Sequence, residues 1–206
     1  MKEKEIVTKE DHKFMASNVT SDIKNVIKRL CHRLYEQNQK SVNYIEVGIW
    51  YGGTFKEILD NCKDIEIHGY GIDFFEDFVK LNGDTINTHV DPVITLKSAI
   101  EQYKKDGFDN FTLLKGDSVE MLNSLEEMEN VVCFIDANHT YDAVKGDFLA
   151  AAAKIKNGYI CLDDCNSYED QTAGPGGYGI WKFHNEIKKE YKIVYQDSRN
   201  VAFKIK

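Results

Sequence analysis

The chain has 206 residues, 42% of them apolar and 29% charged, the balance of a globular protein rather than a disordered one. Lysine and arginine number 26 against 34 aspartates and glutamates, a net charge of −8. That field repels a phosphate backbone, so a large nucleic-acid footprint is disfavoured and only a local basic patch stays open. No run approaches the ~20 apolar residues that span a bilayer, and the start, Met-Lys-Glu-Lys-Glu, lacks the apolar segment of a signal peptide. The length and the scarcity of proline (Pro92 and Pro175) predict one domain over 1–206. The odd set Cys31, Cys62, Cys133, Cys161 and Cys165 reads as reduced thiols in a cytosol-like compartment.

Residues 1–19 are polar and without period. From Thr20 the pattern changes: Ile23, Ile27, Leu30 and Leu34 recur at helical spacing, with Thr20 or Ser21 as N-cap. An N-terminal extension and helix therefore occupy 1–42. Strands and helices then alternate. Strands are predicted over Asn43–Val47, Ile65–Ile72, Phe111–Leu114, Val131–Ile135 and Tyr159–Leu162. Helices are predicted over Thr54–Asn61, Leu96–Lys105, Ser118–Glu127, Tyr141–Ile155 and Ile180–Glu190. Val131–Ile135 is apolar throughout, as a strand buried on both faces should be. Over 191–206, two alternating runs, Tyr191–Tyr195 and Val201–Ile205, flank the turn-forming cluster Asp197-Ser-Arg-Asn200, which reads as an antiparallel hairpin. The fold class is α/β: a Rossmann-like, mostly parallel seven-stranded sheet with helices on both faces and an antiparallel C-terminal hairpin.

In such a sheet ligands bind beyond the carboxyl ends of the strands. After the first strand stands Glu46, then Gly48 to Thr54 with Gly52 and Gly53. This glycine-rich turn lets the backbone approach a ligand closely. Its spacing misses the dinucleotide fingerprint, and the Glu46 carboxylate suits a cationic ligand group better than a pyrophosphate. The ordinary alternative is a tight strand–helix turn. Asp73, one strand–helix–strand unit further on, can accept both hydroxyls of a ribose or cap a helix. Asp117 and Ser118 follow the third strand, either at an adenine amino group or as helix caps. Asp136 follows the fourth strand and Asp163 and Asp164 the fifth. Three carboxylates at neighbouring strand ends repel unless a cation neutralises them, and an all-oxygen set suits magnesium, calcium or manganese. His139, near that cluster, can take a proton from a substrate hydroxyl; its alternative is a structural loop histidine.

These segments, Ile45 to Thr54, Phe134 to Asp147 and Gly158 to Asp164, resemble the class I S-adenosylmethionine-dependent methyltransferases. Among them, the similarity is greatest to the O-methyltransferases of the macrocin and mycinamicin type. The match spans 43–190, the cofactor-binding core. The Asp-x-x-His-x-Tyr segment followed by Asp-Asp after the next strand is its specific part. The resemblance implies that Glu46, Gly48, Tyr51, Gly52, Gly53 and Thr54 hold the methionine portion of the cofactor and Asp73 its ribose. Asp117 and Ser118 would lie at the adenine. Asp136, placed with both cofactor and metal, would bind Mg2+ with Asp163 and Asp164, and His139 would be the general base. The chain departs from the group at Ala137-Asn138, where Gly-Asp is usual, and at Cys165, where an aromatic residue is usual.

The implied reaction is Mg2+-dependent transfer of a methyl group to a hydroxyl of a small molecule, with a sugar or catechol vicinal diol preferred. Its pocket would be formed by Asn82–Leu96 and Tyr168–Tyr178. The expected setting is cytoplasmic, with a hydroxylated small molecule as partner, no nucleic acid and no membrane; a homo-oligomer is compatible. The alternatives are a non-catalytic S-adenosylmethionine-binding module, a nucleotide-dependent oxidoreductase on a Rossmann sheet, and a metal-dependent hydrolase using the same acids.

Overall fold

The computed structural model describes residues 23–50, 52–75, 95–165 and 179–206. The expected cap at Thr20 or Ser21, the cofactor residue Tyr51 and the pocket segments 82–94 and 168–178 lie outside the described residues.

The first helix, α1 (Ile23–Asn38), buries Val26, Ile27, Leu30, Cys31 and Leu34 on one face. It leads into β1 (Val42–Val47), whose alternation serves two cores. Val42 and Tyr44 face one side, Ile45 and Val47 the other. Next come α2 (Gly53–Asn61) and β2 (Ile67–Asp73). The latter begins two residues later than its apolar run, because the Ile65 amide bonds back to the Cys62 carbonyl in the turn after α2 (3.1 Å). Helix α3 (Leu96–Lys105) opens on a capping box in which Thr95 and Ser98 each accept the other's backbone N–H.

After β3 (Phe111–Lys115), helix α4 (Ser118–Ser124) stops short of Glu127. The chain there is drawn to the end of the following helix, with the Met128 amide on the Lys154 carbonyl and the Lys156 amide on the Met128 carbonyl (both 2.8 Å). Then follow β4 (Val131–Ile135), α5 (Tyr141–Lys154), β5 (Gly158–Leu162), α6 (Ile180–Ile187), β6 (Lys192–Gln196) and β7 (Val201–Ile205).

The sheet order is β3-β2-β1-β4-β5-β7-β6. Strands β1 to β5 pair in parallel, and β7 enters antiparallel to both β5 and β6. Helices α1, α2 and α3 cover one face, around Tyr44, Phe55 and Phe134. Helices α4, α5 and α6 cover the other, around Phe148, Phe183 and Phe203. The strand order reverses between β1 and β4, so the loops after these strands diverge to opposite faces and leave a crevice. No helix among the described residues is long and apolar enough to cross a membrane.

Phe148 anchors the second core. It is fully buried and meets the rings of Tyr191, Phe183 and Phe203 at 5.1, 5.4 and 5.8 Å between centroids. Truncating a packed core phenylalanine costs about 3–5 kcal/mol through lost burial and the cavity left behind. Phe148→Ala should therefore lower the urea-unfolding free energy by that amount. A loss below about 1 kcal/mol would show that this layer is not the closed core described.

Candidate active site

Main-chain hydrogen bonds carry the sheet ladder one residue past the strand ends. The Asp136 amide donates to the Val47 carbonyl (2.9 Å), the Gly48 amide to Ile72 (2.9 Å) and the Asp163 amide to Ile135 (3.2 Å). The acids singled out by the sequence thus stand in one row along the edge of the sheet.

Gly48 is where the β1 and β4 loops touch. Its φ is +86°, and a Cβ there would lie 2.2 Å from the Asp136 carbonyl oxygen. Only glycine meets both conditions. Gly52 has φ +72°, and a Cβ there would collide with the Tyr103 hydroxyl, which instead donates to the Gly52 carbonyl at 2.9 Å. In front of Gly53 the space is open. Gly52 and Gly53 line a cavity of about 400 Å³ together with Ile49, Trp50, Lys56 and Tyr103.

Asp73 ties this loop down. One of its oxygens accepts the Trp50 amide (2.9 Å) and the other the Phe75 amide (3.0 Å). A carboxylate offers about four acceptor positions, so ribose hydroxyls still find lone pairs on it. The open space at Gly53, the ordered loop and the free acceptor capacity of Asp73 fit a nucleoside carrying a cationic tail. Asp117 caps α4 by accepting the Glu120 amide (3.1 Å). Ser118 donates to the buried Asp147, whose carboxyl is pushed up to about 6 by burial. Both sequence-proposed adenine contacts therefore have a structural partner.

Glu46 is 2% exposed, on the α1–α3 face of β1. Burial, above all, raises its carboxyl to about 8; the charges of Asp136 and Asp73 push the same way, against the opposing hydrogen bonds from Tyr44 and the Phe55 amide. The Tyr44 hydroxyl donates to it.

A second cavity, of about 180 Å³, opens between the starts of α1 and α2 (with Ile23 and Lys24 at its wall), the ends of β4 and β5, and the C-terminal hairpin. Thr54, Phe134, Asp136, Asp163, Arg199 and Asn200 line it. His139 stands beside it, with Nε2 3.3 Å from Asp136 Oδ1 and Nδ1 3.8 Å from Asp164 Oδ2. Burial lowers the imidazole, but the Asp136 hydrogen bond and the charges of Asp136, Asp164 and Asp163 outweigh it, and the net shift is upward. Asp163 is raised to about 6 by burial, with Asp136 and Asp164 adding to the effect and Arg199 opposing it. Asp164 adopts φ +49°, a conformation uncommon outside glycine and typical of functional loops.

The sequence reading missed Arg199. Its Nε donates to Asp164 Oδ1 at 2.9 Å, its Nη2 reaches the same oxygen, and Nη2 lies 3.9 Å from Asp163 Oδ2. Among the described residues, no group of three or more histidine, cysteine, aspartate or glutamate side chains is arranged to hold a metal ion. Asp136, Asp163 and Asp164 are neighbours, as expected, but as they stand they do not fit the proposed magnesium. Asp164 is turned onto Arg199 and His139. Of the remaining histidines, His32 contacts Asp64 (3.1 Å), and His184 is buried between Trp181 and Phe203.

The Glu46 shift carries a sign. The folded chain holds a proton on Glu46 that the unfolded chain releases above about pH 4.5, so stability falls as pH rises from there to about 8 and is level beyond. Glu46→Gln removes this dependence. The melting temperature of the variant minus that of the wild type should rise by several degrees between pH 5 and pH 8.5. A difference that stays constant would place an ionised carboxylate at position 46.

A model described as a methyltransferase domain matches residues 45–165. No curated protein matches the chain in sequence. Among solved structures, the O-methyltransferase NovP aligns with a TM-score of 0.62 at 14% identity, covering 88% of this chain and 78% of its own. Cofactor-bound Rv0187 from MTB aligns at 0.60 and 11%, covering 92% and 82%. The N-methyltransferase NodS from Bradyrhizobium japonicum WM9, in complex with S-adenosyl-L-homocysteine, aligns at 0.56 and 10%, covering 96% and 97%. At these identities the structures speak to the fold alone; the family match covers more than half of the sequence. With a strand order that opens a crevice between β1 and β4 and a glycine-lined loop beside it, the chain belongs to the methyltransferase-domain family and is an S-adenosylmethionine-dependent methyltransferase.

Proposed function

We propose that the protein transfers the methyl group of S-adenosylmethionine to a hydroxyl oxygen of a small molecule. The observation that carries this reading is His139. It sits between Asp136 and Asp164 beside a cavity whose wall includes Asp136 and Asp163. An amine acceptor needs little more than a site for its neutral form, whereas a hydroxyl must lose its proton as it attacks. A histidine held by carboxylates at the cavity supplies that base.

The cofactor brings an electrophilic methyl on a sulfonium sulfur. The Gly48–Gly53 loop, with Glu46 behind it, receives the methionine end; Asp73 holds the ribose, and the α4 start with Asp117 and Ser118 borders the adenine. Asp136, where the β1 and β4 loops touch, borders both cofactor and acceptor. The acceptor enters the hairpin-side cavity, where His139 takes its proton. Acidic side chains there suit a polyhydroxylated acceptor, and a sugar or catechol diol is the class we favour. A magnesium ion on Asp136, Asp163 and Asp164 would add Lewis-acid assistance. The support for it is the adjacency of three acids; the seat of Arg199 speaks against it, and no step here runs through a metal.

His139→Ala should lower kcat by about 10²–10⁴-fold, the usual worth of a positioned base, while S-adenosylhomocysteine binding by calorimetry is unchanged. In the wild type, kcat/KM, which reports the free enzyme, should rise with pH through a value above 6.5, because the raised imidazole must be neutral to accept a proton. A radiolabelled methyl-transfer screen over sugars, catechols and amines is the assay, and transfer to amines alone would overturn the oxygen assignment. Asp73→Ala should weaken S-adenosylhomocysteine about tenfold or more, as loss of hydrogen bonds to a charged group does. Unchanged affinity would remove Asp73 from the ribose site.

A further inference from the structure

The C-terminal hairpin delivers a cation to the acids at the β4 and β5 ends. Its turn is stiff. Asp197 Oδ1 accepts the amides of Arg199 and Asn200 at 2.7 Å each, and the Asp197 amide donates to the Asn200 carbonyl at 3.0 Å. The Arg199 carbonyl accepts the amide of Cys165, the residue after the aspartate pair. The main chain of the turn is therefore latched to the segment carrying Asp163 and Asp164. The guanidinium closes on Asp164 Oδ1 through two nitrogens and stands 3.9 Å from Asp163 Oδ2, at the wall of the cavity that Asp136 and Asp163 also line.

We propose that Arg199 is the resident cation of this acid cluster and stands in the seat a divalent ion would take, so that guanidinium and ion compete for Asp163 and Asp164. Three observations carry it. Nε and Nη2 of Arg199 converge on the one oxygen Asp164 Oδ1, a charged two-donor contact that a lysine ammonium does not reproduce. The same group stands at the cavity wall beside Asp163, so an ion reaching the aspartate pair from the cavity meets its charge. Asp164 Oδ1 already accepts from two nitrogens of Arg199, and Oδ2 faces His139 at 3.8 Å, so an ion on this carboxylate competes with a cation already seated there. Arg199 is thus a positioning residue: it fixes one oxygen of Asp164 and leaves the other facing His139.

The test reads metal binding directly, apart from turnover. Full-length wild type, Arg199→Gln and Arg199→Lys are titrated with Mn2+ by electron paramagnetic resonance, after thermal melting has verified the fold of each. Glutamine keeps the hydrogen-bonding length without the charge. It should bind Mn2+ at least about tenfold more tightly than the wild type. Lysine keeps the charge but cannot fork, and should fall between the two. Asp163→Asn added to Arg199→Gln should remove the gain. Equal Mn2+ affinity in wild type and Arg199→Gln, whether strong or absent, overturns the proposal. If Arg199→Gln does not fold, Arg199→Lys decides, and affinity equal to the wild type overturns it. In parallel, methyl transfer by the wild type should be unaffected by chelator, while that of Arg199→Gln should become Mg2+-stimulated. This arm alone rests on the reading of the site as an O-methyltransferase. If no variant transfers a methyl group in any buffer, that reading fails, and the Mn2+ titration still decides the seat of Arg199.

Discussion

Repulsion among carboxylates at the carboxyl edge of the sheet is the constraint on which the site depends. Parallel pairing puts the ends of β1, β4 and β5 side by side, and the sequence ends those strands in Glu46, Asp136, Asp163 and Asp164. Like charges this close cannot all persist in a partly buried setting. Each is relieved differently. Glu46 keeps its proton and accepts from Tyr44. Asp136 faces the His139 imidazole. Asp164 takes the guanidinium of Arg199, and Asp163, left at the cavity wall, is raised toward the neutral range. Relief thus comes from a raised carboxyl at Glu46 and Asp163 and from a cationic partner at Asp136 and Asp164.

The two sides of the crevice are held differently. On the β1 side, Gly48 lies against the Asp136 carbonyl, Asp73 holds the Trp50 amide, and Tyr103 donates to the Gly52 carbonyl. Such contacts lower the conformational freedom a loop loses on binding, which favours affinity. On the hairpin side the charged groups are paired with one another, His139 with Asp136 and Arg199 with Asp164. The buried apolar rings beneath, Phe134 on one face and Phe148 on the other, keep the strand ends in register.

Most of the fold could be read from the sequence because its signals are local. Val131–Ile135 declares itself by five apolar residues in a row, and the glycines and acids follow the strands at once. The row of Glu46, Gly48 and Asp73 was legible for the same reason, since each sits at a strand terminus. Arg199 was not legible. Its seat depends on β7 inserting antiparallel between β5 and β6, which brings residue 199 beside residue 165. A turn cluster such as Asp197-Ser-Arg-Asn200 announces a reversal, not what the reversal lies against. Ser118 shows the same limit. As a strand-end hydroxyl it reads as a ligand contact, whereas its partner, Asp147, lies on the next helix, α5, and is found only by packing. The early end of α4 is likewise set by long-range backbone bonds of Met128 to α5.

The flanking of His139 has a chemical consequence of its own. A neutral imidazole has one N–H, and a carboxylate on each side asks for two. The pair of contacts therefore favours the protonated ring, in line with its raised affinity for a proton. The shorter contact, 3.3 Å, is to Asp136, which lines the cavity; the longer, 3.8 Å, is to Asp164, which Arg199 holds from the far side. Under the proposed function, the Asp136 contact is consequently the one an incoming hydroxyl would replace, and the Asp164 contact the one that would keep the ring in place while it does. A hydroxyl that takes over Nε2 from Asp136 also separates the ring from the charge that most favours its protonation. On the proposed transfer to a hydroxyl, binding of the acceptor thereby moves the histidine toward the neutral, proton-accepting form at the point where that form is needed.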